Sequence, residues 1–410
     1  MKTRFFLAAL AGVALASCVT DKEYDVSAQN ENVKIAFDSP VMYDNDTRAV
    51  YHGEVGSHQY TPGGTTYSYP QEEHFVIHAV KHTSDFGGWE GSDPATFNGK
   101  TLTYDSSLDG WAPKSGDAYY YWPQGYKLSY AAHSPADLEQ GTGWSDNNVT
   151  YDKTGLTITG FKVPALAANH FDLMFSERVV NKTAADMNHS ASYYSGLPIK
   201  FQHALSSIRF SLRNTSEANV VLTKISLYGV YNTGNFAENI TEGDDKTKYE
   251  RGDSGNVKPA WTGQSNAVSK DDAYVAFSGG LQFPTEAKYI TDLMINATAG
   301  SKNEVLLLLP QDIPDGAKLH VEYTVNGAEA SKTVNLKGAT KIDPSTNEAI
   351  ESPTANDKIS KWEIGTRYTY RLYYSSESSS QDRIYFAPKS DTWKDAGTAV
   401  IELKATDHDD

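Results

Sequence analysis

The sequence predicts an all-β protein built from two β-sandwich domains with long loops, and three observations support this prediction. Apolar and polar residues alternate over short stretches, as in half-buried strands, at VKIAFDSPV, EEHFVIHAV, ALSSIRFSL and RYTYRLYYS. Aromatic residues, which strands favour, make up 12% of the chain and include 26 Tyr. No amphipathic helix longer than about three turns is evident.

The first alternating stretch, at 33–41, predicts a strand with one apolar face. Val33, Ile35, Phe37 and Val41 share this face. At about 1.5–3 kcal/mol for each buried side chain, loss of the strand would cost its domain on the order of 6–12 kcal/mol before compensation. We therefore expect a domain that lacks this strand to accept a foreign one.

The next stretch places Phe75, Ile77 and Ala79 on one face of a second strand. Farther along, a polar segment rich in small residues, DMNHSASYYSG at 186–196, predicts a domain break. We accordingly predict an N-terminal sandwich at 49–192 and a C-terminal sandwich at 193–410, each able to bury its own core.

Strands also dominate the predicted C-terminal domain. Ile208, Phe210 and Leu212 share a face, and 305–309 is apolar on both faces, as in a strand covered on both sides. The polar stretch 238–256 predicts an exposed loop.

Charge and cysteine content exclude several classes of function. The net charge is -16, from 36 Lys and Arg against 52 Asp and Glu, so an acidic surface would repel nucleic acid. A single cysteine excludes an internal disulfide framework and a Cys-rich zinc site.

The histidines at 74, 78 and 82 are spaced as helical metal ligands are, but they occur in a strand pattern. Four residues of a strand span about 13 Å, which is too far for two histidines to share one ion. We therefore predict no metal site. We also predict no catalytic residue and no enzymatic activity.

Residues 1–17 have the layout of a signal peptide, with Lys2 and Arg4 before a short apolar run. The ending, Leu-Ala-Ser before Cys18, resembles a bacterial lipobox, and that resemblance implies acylation of the Cys18 thiol and cleavage just before it. The covalent lipid would give a stable anchor in the outer membrane. The alternative is an ordinary cleavable signal in which Cys18 has no role.

Six features follow one another along the chain: YYYWPQGYKLSYAAHSPA, DLMFS, LPIKFQHALSSIRFSLRN, ISLYGVYNTGNF, LLLLPQDIP and the late spacing of Trp362, Gly365, Tyr368 and Tyr370. In this order they resemble the fimbrillin family of Bacteroidetes, the subunits of type V pili. The resemblance implies two tandem transthyretin-like β-sandwiches and a structural role in a cell-surface fimbria. It also implies a surface-exposed lipoprotein precursor of the outer membrane, with no cofactor beyond the lipid on Cys18.

The resemblance further implies processing by a surface trypsin-like protease, which cuts after an Arg that follows the first strand. Arg48 and Ala49 occur here in the polar turn DNDTRAVYHG, just after the strand at 33–41. The predicted pro-segment is therefore 18–48, and the emptied groove would take a donor strand from another fimbrial subunit. The alternative is that Arg48 is an ordinary surface residue.

The C-terminal segment 398–406 is the candidate donor strand, with Ala399, Ile401, Leu403 and Ala405 on one face. A terminal segment can extend away from its domain, which suits a donor. It is equally consistent with the last strand of the second sandwich.

Two other functions share the export signal and the β architecture. One is a lipid-anchored fimbrial base or tip adhesin, which keeps Cys18 and binds a host or bacterial ligand through its loops. The other is a surface glycan-binding lipoprotein, for which Trp89, Trp111 and Trp144 would form a stacking platform.

Overall fold

The structure is a computed structural model. It describes residues 37, 41–42, 73–86, 93–94, 98–106, 110–113, 125–138, 148–152, 154–176, 178–183, 188–190, 193–195, 197, 199–214, 216–240, 259–283, 305–341, 350, 352–374 and 394–403.

The first half of the described chain contains thirteen strands. They are β1 (Val41–Met42), β2 (Phe75–His82), β3 (Asp93–Pro94), β4 (Lys100–Asp105), β5 (Gly110–Pro113), β6 (Lys127–Ser134), β7 (Val149–Asp152), β8 (Gly155–Lys162), β9 (Met174–Ser176), β10 (Val179–Lys182), β11 (Asn188–Ser190), β12 (Tyr193–Ser195) and β13 (Lys200–His203).

Fourteen further strands follow. They are β14 (Ser206–Asn214), β15 (Val220–Tyr228), β16 (Tyr231–Ala237), β17 (Ala260–Ala267), β18 (Tyr274–Gln282), β19 (Leu306–Leu308), β20 (Gln311–Asp312), β21 (Lys318–Val325), β22 (Ala328–Asn335), β23 (Ala339–Thr340), β24 (Lys358–Ile359), β25 (Lys361–Trp362), β26 (Thr366–Tyr374) and β27 (Lys394–Leu403). The helical elements among the described residues are two short 3-10 turns, Ala167–Asn169 and Ala355–Asp357.

A nine-stranded sheet contains most of the N-terminal strands. Its path is β1-β13-β9-β6-β2-β4-β5, with β10 paired to β6 and β3 paired to β2. In β2 the odd-numbered residues Phe75, Ile77 and Ala79 are all buried, as their alternation predicts. These residues belong to a compact apolar cluster on one face of the sheet.

Three four-stranded sheets enclose a second, larger apolar cluster. Their strand orders are β19-β14-β26-β27, β18-β15-β21-β22 and β17-β16-β8-β7. The all-β prediction is confirmed, because strands account for nearly all regular structure in the described residues.

Four described strand pairs cross the predicted boundary between residues 192 and 193. β13 pairs with both β1 and β9 in the nine-stranded sheet, β11 pairs with β12, and β8 pairs with β16 in a four-stranded sheet. The division into sandwiches at 49–192 and 193–410 stays a prediction.

Three outer strands of the four-stranded sheets, β17, β18 and β22, have features that discourage pairing with another chain. The register of β18 against β15 shifts twice, and the register of β17 against β16 shifts once. β22 is regular, but Lys332 is buried there at the register position of Val321 and so points into the protein. Bulges and an inward lysine are both devices that blunt a sheet edge.

Candidate strand-acceptor site

The candidate site is the position that Phe37 occupies between two strands. Its N–H donates to the Trp111 carbonyl oxygen at 2.9 Å, and the Trp111 N–H donates to the Phe37 carbonyl oxygen at 2.8 Å. On its other side Phe37 forms a parallel bridge with Leu197. Trp111 lies in β5, one end of the nine-stranded sheet, and Leu197 lies three residues before β13, near the other end. Phe37 therefore joins the two ends of this sheet.

The connection continues along the chain through β1. Val41 pairs in parallel with Lys200, and Met42 pairs in parallel with Phe201. Phe37 and Val41, two residues of the predicted first strand, are thus both paired to other strands or bridges of this region. The predicted residues Val33 and Ile35 lie outside the described residues.

The Phe37 side chain is 1% exposed and belongs to the N-terminal core. Its ring centroid is 5.2 Å from that of Tyr130, in an edge-to-face arrangement with an interplanar angle of 79°. Trp111 packs in the same core, with its ring 6.3 Å from Phe75 and 5.1 Å from Tyr104. Removal of the Phe37 segment would expose an apolar pocket and leave two strands with unpaired backbone groups.

Trp111 is therefore a wall of this site and not part of a stacking platform for sugars. Its side chain is 1% exposed, because it packs against the core and its indole N–H donates to the Glu73 carbonyl oxygen at 3.4 Å. The glycan-platform hypothesis is wrong for this residue. Trp89 and Trp144 lie outside the described residues.

The sequence pattern did not identify Trp111 and Leu197 as neighbours of Phe37. Alternation shows which face of a strand is buried, but it carries no information about which distant strand pairs with it. The one available signal is the apolar LPIKF run that begins at Leu197, which marks a strand without naming its partner.

The candidate donor segment forms β27, which is longer at its start than the predicted 398–406. β27 pairs in parallel with β26 at the edge of its sheet. The register partners of Ala399, Ile401 and Leu403 are the buried residues Tyr370, Leu372 and Tyr374. In this single chain the segment thus lies in the position of a last strand, and its use as a donor stays a prediction.

The remaining predicted site residues lie outside the described residues. They are the lipidation residue Cys18, the processing residues Arg48 and Ala49, and Ala405 at the end of the candidate donor strand.

The histidines of β2 are used in internal contacts. The His78 Nε2 is 2.9 Å from the His133 Nδ1, and the His82 Nε2 is 2.8 Å from the Ser129 hydroxyl. Within the described part of the chain, no group of three or more His, Cys, Asp or Glu residues could hold a metal ion. Among the same residues, no helix is long and apolar enough to cross a membrane.

Similarity to known proteins adds to this geometry. No curated protein sequence matches the chain at the significance required. Among solved structures, a fimbrilin from Porphyromonas gingivalis W83 shares 10% identity with a TM-score of 0.32, covering 92% of this chain and 99% of that one. A fimbrial protein from Bacteroides vulgatus shares 15% identity with a TM-score of 0.39, covering 73% of this chain and 87% of that one.

The match to a family model covers a far larger share of the sequence than any single motif. The model described as "Fimbrillin-like" matches residues 81–384, which is well over half of the chain. It spans the strands β3 to β26, all of the larger apolar cluster and the part of the N-terminal cluster that follows residue 81. The chain therefore belongs to the fimbrillin-like family.

Proposed function

We propose that this fimbrial structural subunit polymerises by strand exchange, after a protease cuts next to Arg48 and releases the first strand. A strand from another subunit then occupies the position that Phe37 holds in the uncut chain. The observation that carries the proposal is the double pairing of Phe37, with Trp111 on one side and Leu197 on the other.

The energetics favour filling the position that the first strand leaves with another strand. Release of the segment removes a fully buried aromatic side chain, and burial of a Phe is worth about 1.5–3 kcal/mol. It also leaves donors and acceptors of Trp111 without their backbone partner, at roughly 1–3 kcal/mol for each group that stays buried. A foreign strand with a large apolar side chain restores both contributions, as in other cases of strand addition.

The edges of the four-stranded sheets at β17, β18 and β22 support the same choice of site. β17 and β18 carry register shifts, and β22 carries the inward Lys332. These features discourage strand addition, whereas the walls at Trp111 and Leu197 are apolar and buried. Strand exchange at the Phe37 position would therefore be more specific than addition at the edges of the four-stranded sheets.

Export is the second part of the proposal. Acylation of Cys18 would carry the precursor to the outer surface of the outer membrane, where a trypsin-like protease has access to Arg48. The cut then removes Cys18 and its lipid together with the first strand, so that the released subunit joins a fimbrium through other subunits. β27 is the candidate donor, because it is an edge strand that one ladder joins to its sheet.

The test is polymerisation of the full-length precursor after limited trypsin treatment. Wild type should give SDS-resistant ladders, and N-terminal sequencing of the products should start at Ala49. Arg48→Gln should stay monomeric under the same treatment. Arg48→Lys is the matched control, because trypsin cuts after either basic residue, and it should polymerise as the wild type does.

Two results would contradict the proposal. One is polymerisation of Arg48→Gln at the wild-type rate. The other is a surface protein isolated from fibres with an intact, acylated Cys18, which would indicate a lipid-anchored base or tip adhesin. Deletion of 394–410 separates the donor question from the cleavage question, since it should block ladder formation while leaving the cut at Arg48 unchanged.

A further inference from the structure

A column of stacked side chains lies on the opposite face of β2 and β6 from the Phe37 core. We call it the ring column, and its members in spatial order are His133, His78, Tyr151, Arg178, Phe86 and His82. Five are aromatic rings and one is a guanidinium. Arg178 is 2% exposed despite its charge, so the column is an internal feature.

The contacts along the column are regular. The ring centroids of His133 and His78 are 5.1 Å apart, and those of His78 and Tyr151 are 5.5 Å apart with an interplanar angle of only 13°. The guanidinium carbon of Arg178 is 5.2 Å from the Tyr151 ring and 5.6 Å from the Phe86 ring. Arg178 thus lies between two aromatic faces, an arrangement that stabilises a buried cation.

The ring column joins two sheets. His78 and His133 belong to the nine-stranded sheet, through β2 and β6, whereas Tyr151 belongs to β7 of the sheet β17-β16-β8-β7. Arg178 precedes β10; its Nε donates to the Tyr151 hydroxyl at 2.9 Å, and its Nη2 donates to the Asp152 carbonyl oxygen at 2.8 Å. Because Arg178 is next to β10 of the nine-stranded sheet, separation of the two sheets would break the stack on both sides of Tyr151, at His78 and at Arg178.

The charges around the ring column are few and known from each neighbouring element. β7 contributes Tyr151 and Asp152, and the residue before β10 contributes the Arg178 cation. Glu238 is fully buried just after β16, and its carboxylate accepts the N–H of Leu156. Burial is the main cause that raises the pKa of Tyr151, followed by the nearby Glu238, so the phenol stays neutral. At the other end of the column, near His82, Lys127 and Asp85 form an ion pair.

An added proton would turn the histidine pair into a buried cation. The 2.9 Å contact between His78 and His133 requires one ring nitrogen to donate and the other to accept, so in the neutral pair the donor ring keeps one bare nitrogen that can take a proton. Burial lowers the pKa of His78 to about 4. Burial, with a smaller contribution from His78, lowers the pKa of His133 well below its usual range. A proton here would add a second buried cation to the ring column, which already contains Arg178.

We propose that the ring column is an acid-sensitive joint, in which protonation of His78 or His133 weakens the attachment of β7 to the nine-stranded sheet. The added charge and the Arg178 cation would both lie against the Tyr151 ring, and both would be shielded from water. Opening of this contact lets water solvate the imidazolium, which relieves the cost of burying it. His82, at the far end, contacts the Ser84 carbonyl oxygen and the Ser129 hydroxyl and remains with the nine-stranded sheet. The joint does not depend on strand exchange.

Amide hydrogen exchange on the full chain, read from peptides that cover 149–158, tests the proposal. An open state in which His78 titrates at its usual pKa gains population by about 20-fold between pH 7 and pH 5, relative to a closed state with a pKa of about 4. After correction for the intrinsic effect of pH, exchange in β7 and at Leu156 should rise by about that factor. Exchange in β4, which stays with the nine-stranded sheet, should not.

The double variant His78→Gln/His133→Gln removes both titrating rings but keeps side chains that hydrogen-bond to each other. It should lose the pH-dependent rise in β7, while His320→Gln, on the distant β21, should behave as the wild type. An unchanged rise in the double variant would overturn the proposal, as would a wild-type rise in β7 that β4 matches. If the double variant does not fold, the wild-type comparison of β7 with β4 decides alone.

Discussion

Truncation of Phe37 gives the sharpest prediction about the candidate strand-acceptor site. The side chain is 1% exposed and packs edge-to-face on Tyr130, so Phe37→Ala removes both burial and a ring pair. Substitutions of this kind cost about 3–5 kcal/mol, because the cavity does not fully collapse. The two backbone hydrogen bonds to Trp111 involve only main-chain atoms, so they survive the change. We expect the uncut chain to lose about 3–5 kcal/mol of unfolding free energy in urea.

The same loss of stabilisation should make the first strand leave the cut chain faster. When the chain is cut after Arg48, the first strand is held by non-covalent contacts alone, and each 1.4 kcal/mol is a factor of ten in its affinity. A loss of 3 kcal/mol or more should therefore speed release of the strand by roughly 100-fold or more. Release can be followed with a fluorophore on the N-terminal peptide, and ladder formation should accelerate with it.

Phe236→Ala is the matched control for this experiment. Phe236 is fully buried in the other apolar cluster, with ring centroids 5.0 Å from Phe175 and 5.5 Å from Trp261. It should cost a similar stability without changing release of the first strand. The reasoning is refuted if Phe37→Ala costs less than about 1 kcal/mol, or if Phe236→Ala accelerates release equally.

Three other predictions concern stability. Burial lowers the pKa values of His78 and His170 to about 4. Each histidine therefore contributes about 3 kcal/mol to the free energy of unfolding, which is present above pH 6.5 and lost as the pH falls towards 4. Urea titrations across this pH range measure the loss, and a stability that does not change with pH would contradict it. Gly229 has a φ of 78°, and a Cβ there would lie 2.1 Å from a backbone oxygen; Gly229→Ala should cost about 2–5 kcal/mol. Gly327, with a φ of 85° and open space around it, is the control, and equal losses in the two variants would show that the close contact is unimportant. Tyr370→Phe removes the oxygen that accepts a buried indole N–H at 3.1 Å, so thermal unfolding should show a loss of about 1–3 kcal/mol, and an unchanged melting temperature would refute it.

The faces of individual strands could be predicted because alternation is a local property. Phe75, Ile77 and Ala79 are buried together, as are Ile208, Phe210 and Leu212, in agreement with the sequence pattern. The 305–309 run is buried on both faces, as its continuous apolar character predicts.

Pairing between distant strands could not be predicted in this way. β14 pairs in parallel with β26, and β8 pairs with β16, although no local signal links these segments. The same limit applies to the candidate site, where Phe37 was predicted to be buried but its neighbours Trp111 and Leu197 were not identified. The alternation of side chains determines which face of a strand is buried, whereas the strand with which it pairs depends on how the whole chain packs.

The opposite directions of the two walls have a consequence for filament polarity. Phe37 is antiparallel to Trp111 and parallel to Leu197, so an occupant of either orientation meets one parallel and one antiparallel neighbour. Main-chain hydrogen bonding alone then does not distinguish a strand that enters head first from one that enters tail first. Under the proposed strand exchange, the direction of growth would be encoded in the order of large and small side chains along the incoming strand, matched to the pocket that the Phe37 ring fills.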